Sequence, residues 1–295
     1  NSSRNIFPQI SVFLSNRFTC TSPLNGTTNE YSFAGIKSKN LNVITSQYAK
    51  SNYFYDLHYG IFTEGEATEI SGSIYRMFRI KDEGIVLCKG KLDISGSLFL
   101  NCRINAVHVL KNQSTSIKAT TFIINDQIIN NNLHTAIKID EFLPNSTTNI
   151  TTSINATLNW SRFGEKIIGI HLQGNKVAGG CDIKVTNSSI SIDNKGGIGI
   201  NLPGLFPSSS NTLLENNTIR IGLNNDSPFN KIDYPTGISS IGDKNNVKII
   251  ANKFTGTVPF QSGNQSIGIS IQNTTGHGND VSSNQFYGIY VINNP

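Results

Sequence analysis

The 295-residue sequence predicts an all-β solenoid built from short parallel strands. Three observations predict this fold class: one four-residue motif recurs along most of the chain, short segments with period-two alternation predominate, and helical periodicity is nearly absent. A repeat of roughly 20–30 residues made of short strands cannot bury its own apolar face, so neighbouring repeats must stack to form a continuous core.

The recurring motif is Gly/Ala-Ile/Val-x-apolar, with a polar residue occasionally in the last place. Neighbouring copies begin 20 to 40 residues apart, which indicates turns of unequal length. We expect one copy per coil and therefore about ten coils. The copies begin at Gly35, Gly60, Gly84, Ala106, Ala136, Gly169, Gly197, Gly237, Gly268 and Gly288.

Two adjacent segments are nearly a duplication. The segment EISGSIYRMFRI (69–80) is followed 24 residues later by DISGSLFLNCRI (93–104). This similarity predicts equivalent strands on neighbouring coils. A β-sandwich is the structural alternative, but it would need hairpin turns every 8–12 residues or so, which this repeat does not provide.

A second motif, apolar-x-x-Asn-x-apolar, lies between the copies of the first. Its clearest examples centre on Asn217, Asn252 and Asn284. Asparagine tolerates the left-handed conformation that a sharp bend between strands requires, and we assign it that role. Stacked amides can also hydrogen-bond along the column.

From about Gly35 to Val291, these two motifs resemble the right-handed parallel β-helix superfamily with the pectin-lyase-like fold. That group includes pectate and pectin lyases, polygalacturonases and phage tailspikes, so the resemblance implies a fold more than a function. We assign residues 35–295 to the β-helix domain. Residues 1–34 lack the repeat and are expected to cap its open end, because exposed strand edges aggregate. The chain stops on a repeat strand, which suggests a trimmed product or a coil covered by another subunit or a further C-terminal domain.

The composition suits an extracellular or cell-surface protein, although a low-GC genome would raise the asparagine content equally well. Only 15% of the residues are charged, and amides and hydroxyls take their place. The net charge of +5 is scattered, with no basic cluster of the kind that binds nucleic acid. A mild positive charge favours acidic glycans as partners, although a plain solvated surface explains it equally well. No apolar run is long enough for a transmembrane helix. The four cysteines allow up to two disulfides or buried free thiols.

The third position of the first motif should point outward, because side chains alternate along a strand. On three successive coils this position holds His108, Lys138 and His171, with Asp140 close by. The resemblance implies that polysaccharide lies along an outer face and meets groups from adjacent coils. A His or Lys there could abstract the proton α to a uronate carboxyl group, and positive charge could stabilise the enolate. The alternative is an accidental pair of histidines on a polar face.

Further binding candidates are Asp140, Arg79, Arg103 and Tyr290. Arg79 and Arg103 recur together with Glu69 and Asp93 in the duplicated segments, either as a groove for anionic glycan or, as we favour, as salt bridges between coils. Tyr290 could stack on a sugar ring. No cofactor is predicted: the scattered acids leave calcium binding open without predicting it.

These observations favour a secreted or surface-exposed β-helix that binds glycan or a host or cell surface, as an adhesin or spike-like segment does. The alternative is a polysaccharide lyase or glycoside hydrolase acting on an acidic polysaccharide, with His108, Lys138 and His171 as its catalytic residues. Inverting hydrolysis needs paired carboxylates, and no such pair stands out in the sequence. A lyase is therefore the more plausible enzyme.

Overall fold

The computed structural model describes residues 9–12, 16–19, 32–45, 51–65, 68–125, 134–157, 167–175, 179–193, 196–207, 209–222, 235–243, 245–256, 266–272 and 277–287. Over these ranges the chain forms 25 strands and no helix, and the strands pair in parallel in one curled sheet. The all-β prediction is confirmed, and the arrangement fits a β-helix-like solenoid.

The strands fall into three ladders. We call one turn of the chain a coil, and a complete coil contributes one strand segment to each of the three ladders. Ladder 1 contains the recurring Gly-Ile motif. It consists of β3 (Ser32–Lys39), β6 (Leu57–Glu64), the first parts of β9 (Glu83–Ser95) and β11 (Asn105–Ile124), β12 (His134–Ile139), β14 (Ile167–Leu172), β17 (Ile198–Pro203), β20 (Thr236–Ile241) and β23 (Ile267–Gln272).

The other two ladders follow in order along each coil. Ladder 2 consists of β1 (Gln9–Val12), β4 (Asn42–Thr45), β7 (Thr68–Ser73), the end of β9, the middle of β11, the first part of β13 (Phe142–Thr157), β15 (Cys181–Thr186), β18 (Asn211–Glu215), β21 (Val247–Ile250) and β24 (Asp280–Ser282). Ladder 3 consists of β2 (Arg17–Thr19), β5 (Asn52–Tyr55), β8 (Tyr75–Phe78), β10 (Leu98–Leu100), the ends of β11 and β13, β16 (Ser189–Asp193), β19 (Thr218–Gly222), β22 (Lys253–Gly256) and β25 (Gln285–Tyr287).

The core is formed by inward side chains that stack from coil to coil. In ladder 3, Phe99 and Phe122 are almost completely buried and their ring centroids are 5.0 Å apart. Full burial of a side chain of this size contributes about 1.5–3 kcal/mol, so columns of such contacts account for most of the favourable free energy of stacking.

The glycine of the recurring motif is required by close approach of the next coil. A Cβ atom on Gly60 would lie 2.5 Å from the Gly84 carbonyl oxygen, and one on Gly84 would lie 2.4 Å from the carbonyl oxygen of Ala106. At these two glycines the backbone of the next coil therefore occupies the space that a Cβ atom would need. This contact explains why the motif begins with the smallest residues.

The recurring asparagine lies at the corner between ladders 2 and 3, one residue after the left-handed bend. The bend itself is formed by Asn216 and Ala251, with φ of 55° and 54°. Asn217, Asn252 and Asn284 have no such φ and form a column of amides, in which Asn217 Nδ2 donates to Asn252 Oδ1 (2.9 Å) and Asn252 Nδ2 donates to Asn284 Oδ1 (3.1 Å). The predicted left-handed conformation of the motif asparagine is wrong, and the predicted amide bonding is confirmed.

The duplicated segments are not stacked in the register that their sequences suggest. The segments are 24 residues apart, but Ser73 pairs with Ser95 and Met77 with Phe99, which are 22 residues apart. A shift of two residues preserves the alternation of side chains, so the inward and outward assignments survive. The facing pairs change, however, and Glu69 lies beside Lys91.

The motif copy at Gly197 also differs from the prediction by two residues. Ile200 pairs with Ile170 and Asn201 pairs with His171, so the structural equivalent of Gly169 is Gly199. The outward column of ladder 1 therefore continues from His171 to Asn201.

Two strands lie within the region predicted to be a cap. β1 and β2 pair in parallel with β4 and β5, so they extend ladders 2 and 3 before Gly35. The cap, the domain boundary and the number of coils stay predictions. Cys88, Cys102 and Cys181 are free thiols, and Cys20 lies outside the described residues. Within the described ranges, no helix is both long and apolar enough to cross a membrane.

Candidate functional site

The candidate site is a row of side chains on the outer face of ladder 1. His108 pairs with Lys138, and Lys138 pairs with His171, so the structure places the three predicted residues on consecutive coils. Neighbouring strands are about 4.8 Å apart, and the row therefore runs along the solenoid axis. Its consecutive Cα partners are Lys37, Phe62, Val86, His108, Lys138, His171, Asn201, Ser239 and Ser270.

His108 lies between two carboxylates at the centre of the row. Its Nδ1 is 2.7 Å from Glu83 Oε1, and its Nε2 is 2.8 Å from Asp140 Oδ2. Asn105 Nδ2 also donates to Glu83 Oε1. A neutral imidazole has one N–H, whereas imidazolium has two. Two carboxylates on opposite ring nitrogens therefore indicate an imidazolium that donates to both.

The electrostatics of this group favour the charged forms. Burial lowers the pKa of His108, but hydrogen bonds to Asp140 and Glu83 outweigh it and raise that pKa to about 9. Burial raises the pKa of Asp140, but the hydrogen bond from His108 and the charge of Lys138 outweigh it and lower that pKa to about 2. At neutral pH His108 is therefore a cation and Asp140 an anion.

Lys138 shares the same carboxylate. Its Nζ lies 3.1 Å from Asp140 Oδ1 and 3.4 Å from Asp140 Oδ2. Asp140 therefore accepts from His108 and Lys138 together. This joins the residue predicted to bind with two of the residues predicted to catalyse.

His171 lies beside this ion-pair cluster and, unlike His108, is uncharged at neutral pH. Burial and the positive charge of Lys138 lower the pKa of His171, so the ring is neutral at neutral pH. Asn201 Nδ2 lies 3.1 Å from His171 Nδ1 and donates to it when the proton is on Nε2. The side chain of Gln173 is also hydrogen-bonded to the ring.

On three successive coils, the residue immediately before the motif glycine or alanine also faces the row, and the sequence analysis missed this position. Tyr59 and Glu83 are Cα partners, as are Glu83 and Asn105. Tyr59 packs against Phe62 with ring centroids 5.0 Å apart, and burial together with the charges of Asp82 and Glu83 raises the pKa of Tyr59. The signal was available, since the position holds Tyr59, Glu83 and Asn105 on three successive coils.

The predicted arginines lie at turns before ladder 1. Arg79 is exposed, and its Nη2 lies 2.8 Å from Asp56 Oδ2 on the preceding coil, which is a salt bridge between coils as the favoured interpretation proposed. Glu69 and Asp93 are not its partners in that bridge. Arg79 N–H donates to Leu100 O. On the next coil the equivalent donor is the N–H of Asn101 and not that of Arg103, so Arg79 and Arg103 are not in register. The prediction for Tyr290 falls outside the described residues.

The row can hold a polar ligand more readily than it can move a proton. The central imidazolium, the ammonium and the carboxylates satisfy one another. Within the described part of the chain, no group of three or more His, Cys, Asp or Glu side chains is arranged to hold a metal ion.

No family model matches this sequence, and no curated protein or solved structure is detectably similar to it. The functional assignment therefore depends on the geometry of the row.

Proposed function

We propose that the chain forms a right-handed parallel β-helix of the pectin-lyase-like type, secreted or displayed at a cell surface. Its ladder 1 row binds glycan on a host or cell surface without turnover, as in an adhesin or a spike-like segment. The three parallel ladders, the glycine contacts and the asparagine column support the fold part of the proposal.

The observation that carries the functional part is the position of His108 between Glu83 and Asp140. A general base must be unprotonated and must reach the proton that it abstracts. His108 is an imidazolium with both N–H groups donated, and only 9% of the residue is exposed. It is therefore unsuited to proton abstraction and well suited to fixing the two carboxylates.

The other groups of the row support the same conclusion. Lys138 forms an ion pair with Asp140, and His171 is hydrogen-bonded to Asn201. A glycoside hydrolase needs one carboxyl group that is protonated and can act as an acid. Asp140, with a pKa of about 2, is ionised across the physiological range. The lyase and hydrolase alternatives therefore receive less support than binding.

A rigid set of charged donors and acceptors suits recognition of a hydroxyl-rich ligand. The groups of the row are held in place before the ligand arrives, so little side-chain entropy is lost on binding. The row also extends over several coils, which matches an extended chain of sugars better than a single small molecule.

A glycan array probed with the purified chain tests the binding proposal. Lys138→Ala should remove binding to the retained glycans, whereas Lys184→Ala on the exposed face of β15 should not. An array with no retained glycan, or equal binding by the Lys138→Ala variant, would overturn the proposal.

Turnover is tested separately with pectate, alginate and glycosaminoglycans, with and without calcium. Absorbance of unsaturated products reports a lyase, and new reducing ends report a hydrolase. We expect neither. Product that is formed by the native chain and disappears in folded His108→Ala would assign the enzyme alternative instead.

A further inference from the structure

We infer that the ligand of the row is an uncharged, hydroxyl-rich sugar chain and not a uronate-containing or sulfated one. This inference rests on the proposed glycan-binding function and names the class of glycan. It departs from the expectation that the positive net charge of the protein favours acidic partners.

The first argument is that the cations of the row are already paired. Lys37 Nζ lies 3.0 Å from Glu64 Oε1, Lys138 Nζ lies 3.1 Å from Asp140 Oδ1, and His108 contacts two carboxylates. A uronate that approached these cations would place its own carboxylate beside Glu64, Glu83 or Asp140, and like charges at close range oppose binding.

The second argument is the balance of charge in the row. Each cation of the row has a carboxylate partner: Glu64 pairs with Lys37, Glu83 with His108, and Asp140 with Lys138. Asp82 adds a further carboxylate, which contacts His58. The net charge of +5 for the whole chain therefore arises elsewhere on the molecule. The row has no surplus of positive charge to attract an anionic polymer.

The third argument is that the carboxylates can still accept hydrogen bonds from hydroxyl groups. The side chains of Asp140 and Asp82 are 34% and 26% exposed, so solvent or a ligand reaches them. Hydrogen bonds from a hydroxyl to an ionised carboxylate are short and strong. Lys138, whose side chain is 27% exposed, can donate to a ring or hydroxyl oxygen of the same ligand.

The fourth argument is an aromatic pair near the start of the row, where Lys37 Nζ also lies 5.8 Å from the centroid of the Phe62 ring. Tyr59 and Phe62 are half-buried and form a tilted pair at 57°, one coil before Glu83 and Val86. The C–H face of a neutral sugar ring packs on such a surface, while its hydroxyls reach polar groups at the edge. Aromatic, charged and amide groups then follow one another along the axis, with Asn201 among the amides.

The experiment compares probes with the same backbone and different charge: fully methyl-esterified pectin against pectate, and mannohexaose against the hexamer of mannuronate. Calorimetry at low and at physiological salt measures each affinity. We expect the neutral probe of at least one pair to bind at least about tenfold more tightly than its charged counterpart, with little salt dependence. Tighter binding of the charged probes overturns the inference and leaves the proposed function standing. If none of the probes binds and the array is also empty, both fail.

Two variants test the role of the named groups. Asp140→Asn keeps the shape of the side chain and removes its charge, which releases Lys138, so the preference should move toward the charged probes. Phe62→Ala should weaken binding of the neutral probe. Asp182→Asn, on the exposed face of β15, is the matched control and should change nothing. An unchanged preference in folded Asp140→Asn together with full binding by Phe62→Ala would overturn the inference.

Discussion

His108 Nε2 lies 2.8 Å from Asp140 Oδ2, although the two residues are 32 positions apart in the chain. The other ring nitrogen contacts Glu83, which belongs to the preceding coil. One imidazolium therefore joins three consecutive coils on the outer face of ladder 1. This arrangement makes His108 a structural centre of the row as well as part of its proposed binding surface.

Replacing His108 with Ala should lower the stability of the fold. The substitution leaves the carboxylates of Glu83 and Asp140 without their shared cation, and removing one partner of a buried ion pair costs about 3 kcal/mol or more. The free energy of unfolding, measured by urea denaturation, reports this loss. Lys37→Ala removes a cation whose side chain is 51% exposed and should cost less than about 1 kcal/mol. Equal effects of the two substitutions would contradict the structural role of His108.

Stability should depend on pH through His108. Its pKa rises from 6.5 to about 9 on folding, so its contribution is complete below pH 6.5 and is lost as the pH rises through about 9. At the acid end, the contribution of Asp140 is complete above pH 3.8 and is lost as the pH falls through about 2. As the pH is raised from 6 to 10, the thermal midpoint of unfolding should therefore decrease for the native chain and not for His108→Ala. An NMR titration placing the His108 midpoint at or below 6.5 would refute this assignment.

Lys138→Ala should raise the pKa of His171. Burial and the charge of Lys138 both lower that pKa, and the substitution removes the second cause while the first remains. The pKa should therefore move toward the ordinary value without reaching it. An NMR titration of the imidazole C–H signals measures the shift, and Lys184→Ala provides the control. An unchanged His171 signal would mean that Lys138 does not act on this ring.

Asn252→Ala should be costly although it removes a small side chain. Asn252 Oδ1 accepts from the backbone N–H of Asn217, and its Nδ2 donates to the Leu214 carbonyl oxygen. The substitution removes these two hydrogen bonds and those to the side chains of Asn217 and Asn284, at a total cost of about 3 kcal/mol or more. Asn149→Ala, on the exposed face of β13, should stay within about 0.5 kcal/mol of the native chain in the same urea measurement. A cost for Asn252→Ala no larger than for this control would show that the amide column contributes little.

Alanine substitutions at Gly96 and at Gly60 should lower the free energy of unfolding for different reasons. Gly96 has φ of 56°, but a Cβ there would meet only Ile74 Cγ1, at 3.9 Å. Gly96→Ala should therefore cost about 1 kcal/mol, from the left-handed conformation alone. Gly60→Ala places a Cβ 2.5 Å from a backbone oxygen and should cost about 3 kcal/mol through overpacking. Unfolding curves of both variants test this order, which the opposite ranking would contradict.

The sequence predicted the solenoid class and the central row because both depend on periodicity. Glycine or alanine recurs where backbones approach, and the third motif position alternates outward, which placed His108, Lys138 and His171 together. Glu83 was missed because it lies immediately before the glycine, where strict alternation from the third motif position assigns the inner face. The polar residues at this position on three successive coils were the available signal, but the contact of Glu83 with His108 on another coil is not visible in a local pattern.

The register was predicted less well for a related reason. Side chains alternate with a period of two, so a shift of two residues leaves every inward residue inward. Sequence similarity then favoured a spacing of 24 residues where the strands pair at 22. The role of Asn217 was misassigned by one position because the bend and the buried amide are adjacent residues.

The register of strand pairing is ambiguous in the same way during folding. A coil that docks two residues out of register would satisfy the hydrophobic pattern and could become a long-lived misfolded state. The contact between Gly60 and the Gly84 carbonyl discriminates against it, because a shifted coil brings a side chain to a site that cannot hold a Cβ atom. The glycine column thus disfavours docking of a coil in the wrong register, and substitutions there should raise aggregation during refolding even where the native state survives.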